Sequence, residues 1–166
     1  MILTQRVTAY VGLGSNLDDP MRQVTSALQE LDRLPETRCV RHSSLYRTRP
    51  LGPQDQPDYI NAVVHLQTAL DPEPLLDALQ ELEHRHRRLR EGPRWGPRTL
   101  DLDLLLYDGR QFASDRLVVP HPEMTRRAFV LMPLAEIAPE SLEIPGRGDL
   151  AHWLERISDD GVQRLQ

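Results

Sequence analysis

The segment from Arg94 to Gly109, RWGPRTLDLDLLLYDG, constrains the fold more than any other part of the chain. Leu100, Leu102, Leu104, Leu105 and Leu106 make a leucine run of strand length that ends at the turn pair Asp108-Gly109. Such a run needs a sheet with at least one covered face. Asp101 and Asp103 interrupt it, and a carboxylate on a half-buried strand is costly unless something positive lies against it. The segment therefore calls for a source of positive charge as well as for a sheet.

The remaining pattern supplies the partners of that strand. Val7 to Leu13 reads as a first strand, followed by the loop GSNLDD and by Pro20, which suits the first position of a helix. Met21, Val24, Ala27, Leu28, Leu31 and Leu34 recur at helical spacing, so the first helix is expected to end near Pro35. One strand is expected within Cys39 to Thr48 and another within Tyr59 to Leu70. Between them RTRPLGPQDQPDY, with prolines at 50, 53 and 57, reads as a long loop. Leu75, Leu76, Leu79, Leu82 and Leu89 mark a second helix capped by Asp71. After the aspartate strand, Leu117 to Val119 is expected to return as its hairpin partner, with short helices in FVLMPLAEIAP and DLAHWLERI closing the domain. The order strand, helix, strand, strand, helix, strand predicts one α+β domain over residues 1–166. It is a ferredoxin-like split βαβ sandwich, with helices packed on a mainly antiparallel sheet.

Charge narrows the partners. A formal net charge of -5 disfavours a general nucleic-acid binder, and no apolar run approaches the roughly 20 residues of a membrane span. Cys39 is alone, and the first ten residues lack a signal-peptide pattern, so a cytoplasmic protein is expected. All 20 basic residues are arginine, which composition bias explains and which rules out a lysine-dependent phosphate loop. The motif GLGSN has only a G-x-G core, with Leu17 where a dinucleotide fingerprint has its third glycine, and is discarded as a phosphate loop.

Residues two apart in a strand share a face, so Asp101 and Asp103 can reach one cation, at about 6.5–7 Å between α-carbons. Hard oxygen ligands suit Mg²⁺ completed by substrate phosphates, although two aspartates on the polar side of a strand also have an ordinary solvent-facing explanation. The neighbourhood favours the former. From His84 to Arg98 there are six arginines, at 85, 87, 88, 90, 94 and 98, against the single acid Glu91, and the excess runs through a Gly/Pro-punctuated loop directly before the aspartates. Arginines so placed balance polyphosphate charge with fork-shaped hydrogen bonds. RLVVPHPEMTRRAF adds Arg116, His121, Arg126 and Arg127, and Trp95 in the arginine loop is a candidate for stacking on a planar ring.

GLGSN, YRTRPLGPQDQPDYIN, RWGPRTLDLDLLLY and VPHPEMTRRAFVLMPLAEIAP together resemble the 6-hydroxymethyl-7,8-dihydropterin pyrophosphokinases of folate biosynthesis. The four motifs keep order and spacing from the first strand to about Pro139, and the tail beyond is matched loosely. The resemblance implies transfer of the diphosphate of ATP to the hydroxymethyl group of a reduced pterin, leaving AMP. It implies that Asp101 and Asp103 bind two Mg²⁺ ions, with Asp103 the nearest group to help deprotonate the acceptor. Arg88 and Arg98 would embrace the ATP phosphates, and Arg90 and Arg94 would lie with them. Glu83, Arg116, His121 and Arg127 match nucleotide-side positions, with Leu104 and Val118 contributing backbone around adenine. Tyr59, Asn61, Trp95 and Phe129 match the pterin pocket, which Thr48 and Leu51 would line.

Two departures stand out: Arg49 replaces a small residue or proline, and Pro122 an aromatic. Three loops are expected to close over both substrates: Gly14 to Asp19, Arg49 to Asp58 and Arg87 to Pro97. A monomer acting on small molecules, away from nucleic acid and membrane, is expected. Three rival readings remain open: a non-catalytic nucleotide-sensing module, a split βαβ RNA-binding domain, and an Mg²⁺-dependent phosphotransferase acting on another alcohol. The acidic chain and its two phenylalanines disfavour the RNA reading.

Overall fold

The computed structural model describes residues 5–49, 56–88 and 99–165, with the backbone alone for Arg88. β1 (Val7–Ser15) runs two residues further than the sequence suggests and is buried from Ala9 onward. Its burial follows from its place in the sheet, where it pairs antiparallel with β4 (Tyr59–Thr68) on one side and β5 (Asp101–Tyr107) on the other. α1 (Pro20–Leu31) starts on its proline and buries Val24, Ala27, Leu28 and Leu31. α2 (Pro72–Arg88) buries Leu75, Leu79 and Leu82, each completely. Such a side chain contributes roughly 1.5–3 kcal/mol relative to exposure. His86 takes the next inward position of α2. Its ring nitrogens lie 2.5 Å from Gln23 Oε1 and 2.6 Å from Glu30 Oε1, tying the end of α2 to α1.

The segment expected to hold one strand holds two, β2 (Thr37–His42) and β3 (Tyr46–Thr48). Both pair with β4. Between them Ser43 leaves the ladder pattern: its backbone N–H donates to the Val63 carbonyl while its hydroxyl accepts from Val63 N–H, so a serine side chain substitutes for a strand carbonyl. The hairpin expectation is also corrected. Asp108 and Gly109 do form a tight turn with left-handed φ of 53° and 63°, the pairing that such turns require. However, β7 (Val118–Val119) pairs with β6 (Phe112–Ala113) in a separate ribbon and not with β5. Among the described residues no side-chain cap from Asp71 is resolved; its carbonyl accepts from Leu75 N–H.

The sheet order is β10-β3-β4-β1-β5, where β10 (Val162–Arg164) joins the edge of β3. Helices cover both faces. α1 and α2 pack against Ala9, Val11, Leu13, Leu102 and Leu104. α3 (Ala128–Ile137), α4 (Leu150–Leu154) and the turn between β8 (Glu143–Ile144) and β9 (Gly148–Asp149) belong to the opposite layer, with Tyr10, Val63, Leu105 and Leu106. A register shift between Tyr10 and Val11 skips Leu105 in the pairing with β5. This bulge lets Leu105 and Leu106, adjacent in sequence, both face the α3 layer, while Leu104 faces α1 and α2. Asp101 and Asp103 share the face of Leu105, two pleats and one pleat from it respectively.

Candidate active site

Beyond the first turn of α3 the sheet is open, and a cavity of about 210 Å³ lies over it. Gly12 and Gly14 form its floor. They pair with Asp103 and Asp101, and the missing side chains make space between the carboxylates and β4. A Cβ at Gly14 would lie 2.9 Å from Asn61 Nδ2, so a larger residue there requires the Asn61 amide to shift. Around the floor stand Thr48, Tyr59, Asn61, Asp101, Asp103, Arg127 and Phe129, all singled out from the sequence. The Arg127 guanidinium packs 5.6 Å from the centre of the Phe129 ring. Thr48 and Asn61 are buried, at 5% and 6% exposure. Their Thr48 Oγ1 and Asn61 Oδ1 atoms have no hydrogen-bond partner. Buried acceptors are rarely left so, and two on one cavity wall mark where a ligand's donors would go.

The carboxylates lie along the free edge of the sheet. Among the described residues β5 has a strand partner on one side only, and on the other side Leu102 N–H donates to Glu83 Oε2 at 2.8 Å, and the Leu105 carbonyl accepts from His121 N–H at 2.9 Å. His121 Nδ1 accepts from Glu123 N–H at 3.1 Å, so in the neutral ring the proton sits on Nε2. That atom faces Asp103 Oδ1 at 3.9 Å. Burial lowers the His121 pKa, as do Arg127 and Arg147, while Asp103 opposes them.

Burial pushes the Glu83 carboxyl up to about 7; the Leu102 N–H pulls it down, and Asp101 and Asp103 add to the rise. Because the folded state holds this proton more tightly than the unfolded chain, the stability it contributes is full below about 4.5 and is lost as pH rises through about 7. Glu83→Gln keeps the acceptor for Leu102 and removes the titration. Between pH 5 and 8 urea unfolding should move in favour of the variant by roughly 1–2 kcal/mol, less than the full ~1.4 kcal/mol per pH unit because the group is partly solvated. Parallel curves for the two proteins would show that Glu83 titrates as an ordinary carboxylate.

With this geometry in place, comparison with known proteins is decisive. Residues 10–139 match the family model described as 7,8-dihydro-6-hydroxymethylpterin-pyrophosphokinase (HPPK). The chain is 50% identical over 163 residues to the 2-amino-4-hydroxy-6-hydroxymethyldihydropteridine pyrophosphokinase of Pseudomonas aeruginosa, covering 98% of both chains. It is 45% identical over 159 residues to that of Haemophilus influenzae, covering 96% of this chain and 98% of the relative. The chain belongs to the HPPK family. It is therefore a pyrophosphokinase, an ATP-dependent diphosphotransferase. Its fold matches a crystal structure of Plasmodium falciparum HPPK-DHPS with a TM-score of 0.72 at 13% identity, covering 94% of this chain and 44% of that longer one. The α+β ferredoxin-like architecture is thus the HPPK fold.

The other HPPK positions named from the sequence are placed less uniformly. Arg90, Arg94, Trp95, Arg98 and Leu51 lie outside the described residues, as does the Arg88 side chain, and with them most of the arginine loop and of the loop after Arg49. Gly14 and Ser15 belong to β1, so the first loop is shorter than expected. The Leu104 side chain is buried against α1 and α2, which leaves only its backbone on the β5 edge for a ligand. Val118 is exposed on β7, off the cavity wall. Arg116 is engaged elsewhere, with Asp77 at 2.5 Å, Gln80 at 3.3 Å and Glu73 at 3.8 Å, all on α2. Sequence reasoning missed Gly12, Arg49 and Asn16 as site-forming. Arg49 stands in the cavity wall and its N–H donates at 3.0 Å to the carbonyl of Gly161, the residue before β10. Asn16, fully buried, donates to Gln56 Oε1 and the Pro57 carbonyl, joining the first loop to the end of the second. Two glycines at period two on a strand were the available signal for the floor.

Proposed function

We propose that the protein transfers the diphosphate of ATP to 6-hydroxymethyl-7,8-dihydropterin in folate biosynthesis, giving AMP and the pterin diphosphate. Family membership and the two near-full-length relatives support the reaction class. The observation that carries the acceptor assignment is the pair of orphaned acceptors, Asn61 Oδ1 and Thr48 Oγ1, on a cavity whose opposite wall is the carboxylate pair. A pterin offers ring N–H and amino donors to the first and places its hydroxymethyl group toward the second. Tyr59 and Phe129, with Trp95 and Leu51, would contact its planar bicycle.

Asp101 and Asp103 fit Mg²⁺: they are hard oxygen donors on one strand face, and the Asp103 side chain is 47% exposed, with room for water and phosphate oxygens. Two Mg²⁺ ions, when bound there, would balance the triphosphate charge as the β-phosphorus is attacked. The chain's own groups do the rest. Arg88 and Arg98, with Arg90, Arg94 and Arg127, would grip phosphate oxygens, and His121 Nε2–H would donate to one. Glu83 orders the β5 edge where Leu104 and Val118 would meet adenine. Arg116 would have to leave Asp77 to reach the nucleotide. Asp103 is the nearest acceptor for the hydroxymethyl proton. We further infer a single domain over residues 1–166, acting as a cytoplasmic monomer on small molecules and not on nucleic acid. Among the described residues no helix is long and apolar enough to cross a membrane.

The test is the product. ATP with the reduced pterin and Mg²⁺ should yield AMP in step with pterin diphosphate, with none when the pterin is omitted. Appearance of ADP would replace this reading with simple kinase chemistry, and equal turnover of an unrelated alcohol would remove the pterin.

A further inference from the structure

Arg147 lies in the turn between β8 and β9, beyond the family match and in the part of the chain whose sequence pointed to no function. Its guanidinium reaches back to the loop that carries His121. Nη1 donates to the His121 carbonyl at 3.0 Å and to the Pro122 carbonyl at 3.3 Å, and Nη2 donates to the Pro120 carbonyl at 3.4 Å. Three consecutive carbonyls thus converge on one fork. Two of the three residues are prolines with no N–H to give, so this stretch cannot hold itself by a backbone ladder. Arg147 is itself fixed: its N–H donates to the Ile144 carbonyl at 2.8 Å, and its carbonyl accepts from Trp153 Nε1 at 2.9 Å.

On the other side of the same loop, His121 N–H is tied to β5 and its ring is set by Glu123 N–H. The ring is thereby held between two supports, the β5 edge and the Arg147 fork. We propose that Arg147 is a positioning residue for the nucleotide side of the reaction, holding His121 in place by clamping the carbonyls of Pro120, His121 and Pro122. This rests on the reading that His121 meets the nucleotide. The demand for a planar fork makes lysine a poor substitute, since an ammonium group lacks the rigid spread of donors.

The experiment is a double-mutant cycle of Arg147→Met with His121→Ala, reading KM for ATP, KM for the pterin and kcat. Arg147→Met should raise the ATP KM by about 5–10-fold and leave the pterin KM within about twofold. In the His121→Ala background it should add nothing further, because the contact it supports is already gone. Arg147→Lys should remain impaired by about threefold or more. It serves as the second variant should the methionine form fail to fold. An unchanged ATP KM in a folded Arg147 variant, an equal rise in both KM values, or full additivity with His121→Ala would each overturn the proposal. A His121→Ala protein with an unaltered ATP KM would instead remove the reading of His121 on which it rests.

Discussion

Converting Asp101 and Asp103 together to asparagine is expected to reduce AMP formation by about 10³-fold or more, with the fold retained. The magnitude follows from what the two charges do: asparagine keeps the size and one oxygen of each side chain but binds Mg²⁺ far more weakly, and a lost metal contribution to phosphoryl transfer is worth several kcal/mol. The fold should survive because both side chains stand at the open end of the sheet, away from the leucines that hold β5. An internal readout accompanies the loss. The two aspartates help to raise the Glu83 pKa, so in the double variant Glu83 should titrate lower than in the parent. Retention of more than about a tenth of the parent activity at saturating Mg²⁺ would exclude the pair as metal ligands.

Asn61→Leu should separate stability from function. In the free protein Asn61 buries an acceptor without a partner, and its amide makes one long hydrogen bond, 3.4 Å to the Leu13 carbonyl. A leucine of similar shape removes the buried unsatisfied oxygen, so the variant should unfold at equal or higher denaturant, by up to about 1 kcal/mol. Under the proposed function, the pterin loses the buried amide of Asn61 as a hydrogen-bond partner. Sites built to hydrogen-bond a ligand reject the unpaired case strongly, and the pterin KM should rise by about 100-fold or more while the ATP KM changes little. A variant that is both destabilised and unaltered in pterin KM would mean that Asn61 is a packing residue.

How much of this could be read from the residues alone depended on whether the determining interaction was local. β1, α1, β4, α2 and β5 announce themselves by periodicity, and Pro20 and Asp108-Gly109 by backbone preference, because each is set within a few residues. Ser43 is different. It replaces a ladder carbonyl with its hydroxyl, and nothing within Cys39 to Thr48 signals the resulting break into two strands. β7 pairs with β6 although the outer edge of β5 is free of a strand, and no local signal in the sequence distinguishes the two partners. The cavity wall divides in the same way. Asp101 and Asp103 are conspicuous as charges in a leucine run, and Asn61 and Phe129 entered through a family resemblance. Gly12 and Arg49 are visible only once their neighbours are known: one works by lacking a side chain, the other is held by the Gly161 carbonyl, more than a hundred residues away in sequence. Arg116 has the right charge, but its exposed guanidinium found nearer partners on α2.

The outer rim of β5 has one more consequence. An uncovered strand margin is a template on which a second molecule can add its own strand, and proteins blunt such margins with charge or with covering loops. Here the Glu83 side chain occupies the Leu102 amide and the His121 backbone occupies the Leu105 carbonyl. Two of the residues proposed for the nucleotide side therefore also occupy polar groups of the β5 edge that a second strand would need, so replacing them is expected to affect self-association as well as catalysis.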